Sequence, residues 1–162
     1  MVDLEETLRD LTPGLIRFCR GLTGSVGEGH EVAQESLCAL VRYWRQQGPP
    51  NSAAAFVFTV ARRQAYKHFF RLRRHSPMEL QADLPAVTES PEAFHEHRQD
   101  LGLALKTLKK LPRKYRQALL LAINETLSVA QGAAILGISP SAFKMRVHRG
   151  RLLLKKRLQG EP

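Results

Sequence analysis

Lys144, Arg146, Arg149 and Arg151 crowd into one short stretch, SPSAFKMRVHRGR, residues 139–151. Cations set so close together meet phosphates, and an arginine among them can grip both acceptors of a guanine edge. A second basic run, Arg63, Lys67, Arg71 and Arg74, recurs at steps of four, four and three residues, with Tyr66 and Phe70 beside it. Charge for a backbone and π-faces for unstacked bases are what a single nucleic-acid strand takes. Each feature has a plainer alternative: a solvated helix face for the cations, a core position for the aromatics. No other group of residues shows comparable order. Cys19, Cys38, His30, His68, His75, His95, His97 and His148 lack zinc-ligand spacing, and there is no P-loop or GxGxxG. The expectation is therefore no catalytic residue, no metal, no cofactor and no enzymatic activity.

The elements that must position these residues are helices. Ser139 and Pro140 suit an N-cap and a first helical position, opening a helix to about residue 158. Ser128 suits the cap of a preceding helix, VAQGAAIL, which stops at Gly137. Ala133 supplies a small residue where two helices cross, and Gly137 a turn. On the last helix, Phe143, Val147, Gly150, Leu154 and Leu158 share a packing face. The opposite face near its start then presents Ser141, Met145, His148 and Arg149, flanked by Lys144, Arg146 and Arg151. That is the pattern of a helix-turn-helix, whose second helix reaches base edges with its N-terminal part. An ordinary helical hairpin with a solvated basic face is the alternative. Arg149 is the best candidate for a bidentate guanine contact; Lys144, Arg146 and Arg151 suit phosphates.

Upstream, periodicity predicts helices over residues 4–21, 28–47 and 53–74, with Pro13 a potential break in the first and Gly21, Gly24, Gly27 and Gly29 marking the turn after it. Ala33, Leu37, Leu40, Val41 and Trp44 form a core stripe on the second; Glu31, Gln34, Glu35, Cys38 and Arg42 fall on another face. Leu101, Leu105, Leu108 and Leu111 form a stripe that stops before Pro112, and residues 113–124 make a further helix. Between the two halves, residues 76–100 carry Pro77, Pro85 and Pro91 and read as a linker. The fold expected is all-α: two small helical domains, about three helices in residues 1–75 and about four in 101–162, joined by an acidic linker.

The 162 residues carry a net charge of +10, which points to a polyanionic partner, nucleic acid before an anionic membrane. The charge is segregated. Residues 1–75 hold 11 Lys and Arg against 7 Asp and Glu, residues 76–100 hold 1 against 6, and residues 101–158 hold 13 against 1. The acidic linker is expected to shield the basic domains, so neutralising its acids should strengthen DNA binding. No apolar run approaches a membrane span, and the acidic N-terminus lacks a signal peptide's apolar core, so a cytoplasmic protein with reduced thiols is expected.

Residues 108–158 resemble the C-terminal domain of bacterial sigma factors of the extracytoplasmic-function (ECF) group. The likeness rests on the opening LPxxxR (Leu111, Pro112, Arg116), the LS before VAQGAAIL, then AxxLGIS and KxRxHRxR. EVAQESLCALVRYW, residues 31–44, is similar to that family's polymerase-docking helix, and FVFTVARRQAYKHFFRLRR, residues 56–74, to its −10 helix. The resemblance implies a protein that binds core RNA polymerase through Glu31, Gln34 and Glu35. It implies −35 duplex recognition through Ser141, Lys144, Met145, Arg146, His148, Arg149 and Arg151. It also implies −10 opening through Arg62, Arg63, Tyr66, Lys67, Phe70, Arg71 and Arg74, with the loop over 46–52 as the rim of a base pocket. The partners implied are core polymerase, promoter DNA and an anti-sigma factor, often membrane-bound in this family, with the active sigma a monomer and not itself a membrane protein. Arg63, Lys67, Gly132 and Met145 depart from the family pattern; Gly132 alone should loosen its helix by about 1 kcal/mol relative to Ala. Without the resemblance, Glu31, Gln34 and Glu35 are also a reasonable solvated helix start. A stand-alone helix-turn-helix regulator, binding a palindrome as a dimer, remains the alternative.

Overall fold

The computed structural model describes residues 2–75, 103 and 106–160, without the side chains of 72–75. The predicted linker, Leu101, Leu105 and the Arg74 side chain lie outside the described residues. All regular structure among the described residues is helical, so the all-α expectation holds.

The first helix, α1 (Leu4–Thr23), starts where the Asp3 side chain accepts the Glu6 N–H at 3.4 Å, with Glu5 and Glu6 favoured by the positive end of the dipole. It ends on Gly24, whose φ of 72° provides the left-handed C-cap. It runs unbroken through Pro13. Arg9 and Pro13 are both exposed, so the carbonyl that loses its helical donor faces water. Ser25 accepts the Glu28 N–H and opens α2 (Val26–Gln47) at once. The turn is thus much shorter than the run of glycines suggested: Gly21 lies inside α1, and Gly27 and Gly29 inside α2. Gly48 closes α2, and Ser52 caps α3 (Ala53–His75) by accepting the Ala55 N–H at 3.1 Å. The three helices enclose Leu11, Leu15, Phe18, Val32, Leu40, Val57 and Phe58, with the Phe18 and Phe58 rings 5.2 Å apart. Side chains of this size each contribute about 2 kcal/mol when fully buried.

Residues 106–110 are helical, with Leu108 and Leu111 buried before Pro112. Then come α4 (Arg113–Ala122), α5 (Val129–Leu136) and α6 (Pro140–Leu158). The fourth helix stops short of the expected residue 124 because the buried Asn124 turns the chain, its Oδ1 accepting both the N–H and the hydroxyl of Thr126. Ser128 and Gln131 form a reciprocal capping box: the Gln131 N–H donates to Ser128 Oγ at 3.1 Å and the Ser128 N–H to Gln131 Oε1 at 2.8 Å. Gly137 takes a φ of 67°, which turns α5 towards α6. Ser139 then caps α6, with Pro140 in its first turn, as predicted.

Phe143, Val147 and Gly150 are buried; Leu158, expected on the same face, is 41% exposed, because α6 outruns the domain it packs on. The glycine at 132 has a positive role that its propensity hides. A Cβ there would stand 2.6 Å from Cζ of the buried Phe143 ring. Gly132, beside the buried Ala133, thus leaves room for the Phe143 ring of α6 to lie against α5.

The two helical groups also pack on each other, α1 against α4 and α3 against α5, so that one apolar core runs through both. Two α1 glycines admit the contact. A Cβ on Gly21 would lie 2.5 Å from a Leu120 methyl, and one on Gly14 would lie 2.7 Å from the Asn124 amide nitrogen.

Candidate nucleic-acid interface

The start of α6 presents Ser141, Lys144, Met145, His148, Arg149 and Arg151 to solvent, Met145 at 49% exposure. The packing of Phe143, Val147 and Gly150 fixes the rotation of the helix and so aims these side chains outward. Arg146 differs: it is half-buried on the side nearer α3, and its charge reaches Arg62. The predicted −35 set is thus one open face plus one residue turned towards the N-terminal helices.

On α3, Arg63, Lys67 and Arg71 are exposed in a row. Tyr66 is 43% and Phe70 41% exposed, so neither is the core aromatic that spacing alone allowed. Their rings lie 4.8 Å apart, with Phe69 6.0 Å beyond Phe70. Tyr66, Phe69 and Phe70 make a partly open aromatic platform bordered by cations. Arg62 is held elsewhere. Its Nε donates to Gln117 Oε1 at 3.2 Å and its Nη1 to the Ile135 carbonyl at 3.4 Å. Burial, with the cations of Arg146, Arg63 and Arg113 nearby, lowers its pKa from the usual guanidinium value.

Glu31, Gln34 and Glu35 line one exposed face of α2, as the spacing required. With Cys38, Arg42 and Gln64 they border an open groove of about 490 Å3. Glu35 Oε2 is 3.7 Å from His68 Nε2 on α3. Among the described residues no lysine or arginine lies within ion-pair distance of a carboxylate.

Several residues that sequence reasoning passed over hold the helical groups together. The Arg113 guanidinium lies 4.2 Å from the centre of the Tyr66 ring and 4.7 Å from that of Phe69. Lys109 Nζ donates to the Gly24 carbonyl at 2.9 Å, and Gln131 Nε2 to Ser52 Oγ at 3.1 Å. Arg116, the arginine of the LPxxxR opening, is instead enclosed within the C-terminal group, donating to the Lys109 carbonyl; burial, then the Arg113 charge, lowers its pKa. No local pattern announces the contacts of Arg113, Lys109 and Gln131 with the N-terminal helices, because their partners are far apart in the chain.

The family model for sigma-70 region 2 matches residues 8–75, and that for sigma-70 region 4 matches residues 101–154. The ECF RNA polymerase sigma factor SigD of Mycobacterium tuberculosis is 29% identical over 163 residues, 94% of this chain and 75% of the relative. The chain belongs to the ECF group of the sigma-70 family. EcfG of Rhodopseudomonas palustris, also an ECF sigma factor, is 27% identical over 91% of this chain and 83% of its own length. Among solved structures, the sigma factor RpoE of Bartonella quintana, in complex with the anti-sigma factor NepR, superposes with a TM-score of 0.79 at 22% identity, over 96% of both chains. CnrH, in complex with the cytosolic domain of CnrY, gives 0.71 at 19% identity over 98% of this chain and 89% of that one. These two likenesses carry the fold. An ECF sigma factor directs promoter-specific initiation by core RNA polymerase, and that is the function of this chain. The stand-alone dimeric regulator finds no support among these relatives.

Proposed function

We propose that this sigma factor divides promoter recognition between α6 and α3. The carrying observation is the outward face of α6, where Ser141, Lys144, Met145, His148 and Arg149 project from the first turns after a capped start. Arg149 reads a guanine of the −35 duplex, Met145 offers an apolar contact such as a thymine methyl takes, and Lys144 and Arg151 hold phosphates. On α3, Arg63, Lys67 and Arg71 track the backbone of the opened −10 strand while Tyr66 and Phe70 stack its bases. Arg62, Arg74 and Arg146 belong to the same surfaces once the two helical groups separate. Glu31, Gln34 and Glu35 dock on a basic surface of core polymerase.

The chain supplies recognition and the core enzyme supplies the chemistry of RNA synthesis. It acts as a monomer in the cytoplasm, with residues 1–75 and 101–162 as its two functional domains. Among the described residues no helix is long and apolar enough to cross a membrane. RpoE of Bartonella quintana is solved in complex with the anti-sigma factor NepR, which supports an anti-sigma partner here too.

Run-off transcription tests this division. Core polymerase and fragmented genomic DNA from the source bacterium are incubated with and without the chain, and 5′ ends are sequenced. New starts sharing −35 and −10 motifs are expected. Arg149→Ala should relax one −35 position, and Tyr66→Ala should impair opening but not −35 binding. If no starts appear and the chain alone retains a palindromic duplex, the proposal fails.

A further inference from the structure

The residues given to the −10 strand are partly engaged already. Arg113, from α4, lays its planar guanidinium over Tyr66 and Phe69, on the platform where an unstacked base would sit. Gln117 and the Ile135 carbonyl hold Arg62. Behind these contacts, Gly21 and Gly14 let α1 meet Leu120 and Asn124 with no side chain between, and Lys109 and Gln131 tie the C-terminal group to Gly24 and Ser52. The contact thus combines apolar closeness, four hydrogen bonds and one stacked cation, and it contains no ion pair among the described residues.

We infer that this contact is an autoinhibitory latch, in which Arg113 occupies the base-stacking face of α3 and must leave it before the −10 strand can bind. The inference rests on the reading of Tyr66 as a base-stacking residue. The same ring face cannot carry the guanidinium and a base together, so closure and −10 capture exclude each other. The latch also has a characteristic salt response. It gathers Arg62, Arg63, Arg113 and Arg146 into mutual repulsion, so salt that screens them tightens closure.

A reversible staple tests the latch on the full chain. A Cβ on Gly14 would lie 3.2 Å from Asn124 Cγ, one bond from Asn124 Cβ, close to the spacing a disulfide needs. The variant Gly14→Cys/Asn124→Cys is oxidised with diamide, its disulfide confirmed by peptide mapping, and both redox forms are assayed with core polymerase on a promoter found as above. The oxidised form should give at least about ten-fold fewer starts, restored by reduction. Equal activity of the two forms would overturn the latch and leave promoter recognition standing. Failure of the two cysteines to join would also overturn it, since the closed arrangement brings them together. If neither the wild-type chain nor the reduced variant gives starts, the promoter reading goes and the latch with it. Independently, Arg113→Ala should bind a fluorescent single-stranded oligonucleotide about three- to ten-fold more tightly than wild type. Removing a cation alone weakens such binding, so unchanged or weaker binding counts against the inference.

Discussion

Replacing Gly132 by alanine sets two well-known effects against each other at one atom. Alanine stabilises a helix interior by about 1 kcal/mol relative to glycine. Here the added methyl would stand 2.6, 2.9 and 3.1 Å from Cζ, Cε2 and Cε1 of Phe143, closer than carbon atoms pack. The ring is only 3% exposed and is wedged between α5 and α6, so it cannot swing into water. Overpacking a site of this kind costs about 1–3 kcal/mol. Gly132→Ala should therefore be net destabilising by about 1 kcal/mol in urea titration. It should also weaken −35 duplex binding, because Phe143 sets the seat of α6. A companion variant makes the argument sharper. Phe143→Leu removes the ring atoms that would clash, so Gly132→Ala should cost less in the Phe143→Leu background than alone, by about 1 kcal/mol. If Gly132→Ala stabilises the wild-type chain by the full propensity gain, the ring is not a barrier and the account of this helix crossing is wrong.

Other expectations concern thiols, caps and charge. Burial pushes the Cys19 thiol up from 9.0 to about 12, whereas Cys38 is exposed; a disulfide reagent at pH 8 should modify Cys38 at once and Cys19 only on unfolding. Because the folded-state pKa is the higher one, Cys19 stabilises the fold below about pH 9 and this contribution declines as pH rises towards 12, which pH-dependent melting of a Cys19→Ala control would isolate. Ser139→Ala removes the acceptor for the Ala142 N–H and should cost about 1 kcal/mol in denaturant titration. Lys144→Ala should lower the salt slope of duplex binding by about one without changing the preferred −35 sequence, whereas Arg149→Ala should change that preference; the reverse pattern in a binding-site selection would exchange their roles.

What was legible in the sequence follows the range of the forces involved. The boundaries of α5 and α6 depend on Ser128, Gln131, Gly137, Ser139 and Pro140, each acting within a few residues, and the sequence located both helices. The outward set on α6 followed from period alone, apart from Arg146, which faces a helix far away in the chain. Pro13 and the run of glycines misled for a related reason. Each has a local meaning as a breaker, yet Pro13 only loses a bond on the water side, and Gly14 and Gly21 are small to admit another helix. The seam of Arg62 with Gln117 and Ile135, and of Arg113 with Tyr66, joins positions with no common period, so nothing in the chain's rhythm pointed to it.

The single core shared by both helical groups has a thermodynamic corollary. In the closed chain they should melt as one cooperative unit; separated, each must stand on its own smaller core. Opening uncovers Leu120 and the glycine face of α1, and that apolar surface gives the open form a higher free energy in water. The apparent affinity of the chain for the opened −10 strand is then its intrinsic affinity scaled by the fraction that is open. Any substitution in the seam, however far from polymerase and DNA, would act as a dial on how much transcription a given number of sigma molecules can start.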